Sequence, residues 1–118
     1  IGLWNTSSAT DMCLMLFDCR RFSGDLGAWD TSSVVSMSYM FAGQGREIGD
    51  IGAWNTAAVK DMSCMFINND AFRQDISRWD TSKVTEIGYV LPPRVHEHAP
   101  PHARANLPGC FPPLTLAL

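Results

Sequence analysis

Four tryptophans, Trp4, Trp29, Trp54 and Trp79, stand 25 residues apart without slippage. Each is followed by Asn or Asp and then Thr: Trp4-Asn5-Thr6, Trp29-Asp30-Thr31, Trp54-Asn55-Thr56 and Trp79-Asp80-Thr81. A fixed period of this length marks a repeat array, and it constrains the fold more than any local propensity does. One such unit leaves its faces open, so neighbouring copies must stack to cover them. Stacked copies build recognition surfaces more readily than a single catalytic pocket.

The copies agree beyond the tryptophan. Five residues after it stand Ala9, Val34, Val59 and Val84; eight after it, Met12, Met37, Met62 and Ile87. Eleven after it stand Met15, Met40, Met65 and Val90, followed by Leu16, Phe41, Phe66 and Leu91. Spacings of three, three and one place these side chains within about 120° of arc at 100° per residue, the stripe of an amphipathic helix. A two-turn helix is therefore expected over 33–41 and its equivalents. Thr6, Thr31, Thr56 and Thr81 sit just before it, where a hydroxyl caps free amides. Asp11, Asp61 and Glu86 would complement the helix dipole in the first turn. The segment from Asp25, Asp50 or Asp75 to the next Trp reads as a short parallel strand. The expected fold class is thus an α/β repeat: a leucine-rich-repeat-like solenoid with one short helix and one short parallel strand per 25-residue coil.

Bulk properties narrow the function. A chain of 118 residues with 46% hydrophobic and 18% charged residues is foldable rather than disordered. Residues 1–91 carry seven Lys/Arg against eleven Asp/Glu, with no basic stripe, so nucleic acid is not an expected partner. No apolar run is long enough to span a membrane. The chain opens on Ile1-Gly2-Leu3-Trp4, which matches Leu26-Gly27-Ala28-Trp29, so it reads as a fragment starting in the tail of an earlier copy. All seven prolines and all three histidines fall within 92–113. The expected division is four repeats over 1–91, starting at Trp4, Trp29, Trp54 and Trp79, and a Pro-rich irregular tail over 92–118. The abruptness of the change also fits a tail that is not native coding sequence.

The polar columns have plain readings. Asp25, Asp50 and Asp75 would lie about 5 Å apart if their strands paired. A turn carboxylate accepting backbone amides explains them better than a cation ladder, because a hard cation takes about six oxygens. Asn5, Asp30, Asn55 and Asp80 read as turn formers. A ladder of Thr hydroxyls that orders water or ice is the alternative to capping. Cys13 and Cys64 lie two coils apart, too far for a disulfide, whereas a Cys13–Cys19 bridge is open. His96, Glu97, His98 and His102 lie among prolines without a scaffold. No histidine occurs in 1–91 and no nucleophile or phosphate-loop motif is present, so neither an enzyme nor a cofactor is expected.

Trp29-Asp30-Thr31-Ser32-x-Val34-x-x-Met37-Ser38-x-Met40-Phe41 and Phe72-Arg73-Gln74-Asp75-Ile76-Ser77-x-Trp79-Asp80-Thr81-Ser82-x-Val84 resemble the unit of BspA-like leucine-rich-repeat surface proteins. That unit reads approximately Phe-Asn-Gln-Asp-Ile-Ser-x-Trp-Asp-Thr-Ser-x-Val-x-x-Met-x-x-Met-Phe. The resemblance covers about residues 1–91. It implies a secreted or cell-surface protein with adhesive or host-interaction roles, and further repeats of the same parent protein as neighbours. Two copies depart from it. Glu47 stands where copies one and three carry Phe22 and Phe72, with Ile48 placed to take over the buried site. Copy four reads Ile87-Gly88-Tyr89-Val90-Leu91 and then Pro92-Pro93.

The expected function is non-catalytic: a repeated face presented to a protein or glycan partner. Specificity would reside in non-repeating exposed positions, among them Tyr39, Gln44, Arg46, Arg73 and Arg78. The alternatives are a spacer that holds another domain away from the cell, or cation-dependent assembly through the Asp column.

Overall fold

The computed structural model describes residues 1–88. The Pro-rich tail, Cys110, the three histidines and the last residues of the fourth copy lie outside the described residues. Within 1–88 the expected α/β repeat solenoid does not form. No helix is present, and β-pairing is confined to single-residue parallel bridges, Asp11 to Ser36, Ser36 to Asp61 and Asp61 to Glu86. The result is a compact body made of turns, in which successive copies lie against one another.

Main-chain hydrogen bonding explains the missing helix. In the second copy every other amide closes a local turn three residues back: Met40 N to Met37 O at 3.2 Å, Ala42 N to Tyr39 O at 3.2 Å, Gln44 N to Phe41 O at 3.2 Å. The amides between them donate to the next copy instead: Met37 N to Asp61 O at 2.9 Å, Tyr39 N to Ser63 O at 2.9 Å, Phe41 N to Met65 O at 3.0 Å. An α-helix needs every amide for its own carbonyl four residues back. Here half of them are spent between copies.

The backbone alternates to match. Leu14, Tyr39 and Cys64, which share one repeat column, have φ of 59°, 54° and 55°. Four residues on, Asp18, Gly43 and Asn68 have φ of 53°, 71° and 54°. Left-handed residues break any helix, and a non-glycine there costs about 1–2 kcal/mol. The inter-copy bonds that these residues donate, such as Leu14 N to Ser38 O and Cys64 N to Gly88 O, offset that strain.

The apolar stripe still faces inward. Val34, Met37, Met40 and Phe41 are wholly buried, as are Val59, Met62, Met65 and Phe66. Successive turns closing over three residues put positions i and i+3 on one side, as a helix would. The spacing therefore reports which side faces the core, and a chain of turns satisfies it equally.

The expected strand before each tryptophan is also replaced by a turn, closed by Trp29 N to Leu26 O and Trp54 N to Ile51 O, each 3.1 Å. Glycine is needed there for a tertiary reason. A Cβ on Gly27 would lie 2.6 Å from the main-chain oxygen of Asp50, and one on Gly52 equally close to that of Asp75.

Candidate functional site

The residues that most catch the eye in the sequence are turned to holding copies together. The indoles stack with centroids 6.4 Å apart and planes within 9° of parallel, from Trp4 through Trp29 and Trp54 to Trp79. The indole N–H of three of them donates to a main-chain oxygen 28 residues earlier: Trp29 to Ile1 O at 3.1 Å, Trp54 to Leu26 O at 3.0 Å, Trp79 to Ile51 O at 3.0 Å. Trp29, Trp54 and Trp79 are buried. Trp4 is 56% exposed.

The threonine column does not cap helices. Thr6 Oγ1 donates to Asp30 O at 3.1 Å, Thr31 Oγ1 to Asn55 O at 2.9 Å and Thr56 Oγ1 to Asp80 O at 3.0 Å. These three hydroxyl-bearing side chains are buried, so they cannot form a water- or ice-ordering surface. Thr81 is half-buried.

The carboxylates accept from the main chain two residues on. Asp25 accepts from Gly27 N, Asp50 from Gly52 N and Asp75 from Ser77 N, each at 2.9 Å. Asp11 and Asp61 accept likewise from Cys13 N and Ser63 N, at bridge positions rather than in a helical first turn. Asp30 accepts from both the amide and the hydroxyl of Ser32, at 3.0 and 2.6 Å. The Ser32 hydroxyl, then its amide, hold the Asp30 carboxyl below its ordinary pKa, and Ser82 does the same for Asp80. Among the described residues no group of three or more His, Cys, Asp or Glu is arranged to hold a metal ion. Cys13, Cys19 and Cys64 are free thiols. No helix among these residues is long and apolar enough to cross a membrane.

A different set of residues lines a surface groove of about 530 Å³ between the second and third copies. Arg46, Arg73 and Arg78 line it, three of the five positions expected to carry specificity. All three are exposed, and none forms an ion pair among the described residues. Two of them break the repeat: Arg73 occupies the column of Ser23 and Ile48, and Arg78 that of Ala28 and Ala53. Arg46 shares its column with Arg21 and Ala71.

The second copy's departure shapes the groove. Ile48, 2% exposed, fills the core place taken by Phe72 in the next copy, and Glu47 is turned out to the groove. Gln74 bridges the two copies, accepting from Ile51 N at 2.8 Å and donating to Gly49 O. Asn69 stands in the wall, buried, its carbonyl oxygen without a hydrogen-bond partner.

Two expected specificity positions lie elsewhere. Gln44 is not exposed: at 1% exposure it is packed between copies, donating to Phe22 O at 2.7 Å. Its column, shared with Cys19 and Asn69, faces inward, which a single sequence position does not reveal. Tyr39 is exposed and sits edge-on to Phe17 with centroids 6.4 Å apart, outside the groove. A hydrogen bond with Cys64 raises its phenol pKa above the ordinary value. Glu47, Asn69 and Gln74 were not singled out as site residues from the sequence. For Glu47 the signal was present, as the one carboxylate in a phenylalanine column.

The profile of a family described as "Mycoplasma protein of unknown function, DUF285" matches residues 1–94. No curated protein and no solved structure matches the chain.

Proposed function

This chain belongs to the DUF285 family, and from that premise we propose that it is a non-catalytic binding module presenting a lateral face to a protein or glycan partner. The observation that carries the proposal is the convergence of Arg46, Arg73 and Arg78 on one groove. Residues that serve stacking recur in every copy and point inward. These three are exposed, none forms an ion pair among the described residues, and Arg73 and Arg78 have no arginine counterpart in the other copies. Guanidinium groups held free in a concavity are suited to binding rather than to stability.

The finer kinship with BspA-like leucine-rich-repeat surface proteins rests on the Trp29–Phe41 and Phe72–Val84 motifs. It supports placing the module on a secreted or surface protein, with other repeats of that protein as its neighbours. A spacer would need the stacking columns but not the groove.

The test is a panel of purified matrix glycoproteins and glycans offered to the immobilised chain. A ligand retained by the chain and lost by the R46E/R73E/R78E variant supports the binding module. Absence of any retained ligand favours the spacer.

A further inference from the structure

We infer that the groove between the second and third copies takes a polypeptide segment with spaced carboxylates, anchored by Arg46, Arg73 and Arg78. The inference rests on the binding reading above and names its ligand chemistry. Three arguments lead to it.

The first is the donor set. A guanidinium offers a planar fork of N–H donors that matches a carboxylate in two parallel hydrogen bonds. Arg73 spends one of its N–H groups on Phe72 O at 2.7 Å, which anchors the side chain at the rim, and its other donors have no partner among the described residues. Arg46 and Arg78 have no hydrogen-bond or ion-pair partner among the described residues.

The second is the charge pattern, which decides against a dense polyanion. Glu47, Asp50 and Asp75 also line the groove, so the formal charge of its wall is balanced. Asp50 and Asp75 each give one oxygen to a turn amide, whereas Glu47 is exposed to whatever enters. A sulfated glycan or a nucleic acid carries charge at every unit and would meet Glu47 as well as the arginines. A peptide whose carboxylates alternate with neutral residues can address the arginines and pass Glu47 with an amide N–H.

The third is the absence of a stacking platform. Sugar rings pack their flat apolar faces on exposed aromatic rings. Phe72, the one ring lining this groove, is only 4% exposed, and the indoles nearby are spent on one another. A groove of about 530 Å³ with a small apolar floor lies in the usual size range of ligand sites.

The experiment is fluorescence polarisation of the full chain with a labelled peptide of alternating Glu and Gly. Controls are the same peptide with Lys for Glu, a uronic-acid oligosaccharide and a heparin oligosaccharide. The expected result is binding of the Glu peptide alone. R73Q and R78Q should each weaken it about tenfold, the scale of one lost charge-assisted bond. Arg21→Gln, outside the groove, should leave it unchanged, and added salt should weaken it. An unchanged urea midpoint shows that the variants are folded. A peptide that does not bind, or binds equally to R73Q and R78Q, overturns the inference. An oligosaccharide bound through the same arginines also overturns it, while leaving the binding module in place.

Discussion

Gly27→Ala separates local from tertiary logic by the sign of its effect. Gly27 does not adopt a left-handed φ, so on local grounds alanine is compatible there. Replacing such a glycine normally stabilises a protein by about 0.4–1 kcal/mol, because the unfolded chain loses freedom. The structure predicts the opposite. The added Cβ would stand 2.6 Å from Asp50 O and 3.1 Å from Asp25 Oδ1, against about 3.4 Å for an ordinary contact. The second copy would have to retreat by about 0.8 Å. The obstacle is backbone, so no rotamer change relieves it. The retreat would stretch Leu26 N to Ile48 O and Trp54 Nε1 to Leu26 O, now 3.1 and 3.0 Å. Overpacking of this kind costs about 1–3 kcal/mol. Urea unfolding followed by tryptophan emission reads it directly, since Trp29, Trp54 and Trp79 are buried. A midpoint that rises, or does not move, in Gly27→Ala would refute the close approach of copies at this turn.

Thr56→Val keeps the shape of the side chain and removes the hydroxyl that donates to Asp80 O at 3.0 Å. Losing this part-buried hydrogen bond costs about 0.5–1.5 kcal/mol, and Thr56→Ser should recover part of it; equal midpoints for wild type and Thr56→Val would sink the inter-copy role. The Asp30 carboxyl is held low by Ser32, so its contribution to stability is present above the ordinary aspartate range and lost as pH falls through the depressed folded value. A carboxyl-detected NMR titration should place Asp30 below an ordinary aspartate, and Ser32→Ala should bring it back up. An unshifted Asp30 in the wild type contradicts the hydrogen-bonded turn.

Much of the packing was legible because it depends on periodicity. The columns from Val34 to Phe41 are the ones that bury, and Ile48 does occupy the core beside an outward Glu47. The helix and strand were misread for a shared reason. Spacings of three and four residues identify the buried side of a segment, and a helix is only the commonest backbone that produces them. Nothing in Met37-Ser38-Tyr39-Met40 announces that Tyr39 is left-handed or that its amide donates to Ser63 O in the next copy. A capping role for Thr31 is the local expectation for the same reason. Its acceptor, Asn55 O, is 24 residues away, beyond the reach of local reasoning.

Side-chain identity alone carries the repeat, its 25-residue register, the apolar columns that face the core and the positions where one copy differs from another. Hydrophobic burial selects identity whatever the backbone path. Where the main-chain hydrogen bonds go depends on the packing of one copy on the next, since each amide chooses between its own turn and the neighbouring copy. That packing also brings Arg46, Arg73 and Arg78, from two copies and the boundary of a third, to one groove. Residues 27 and 32 apart in sequence become neighbours there because the stack folds 25 residues of chain into the thickness of a single copy.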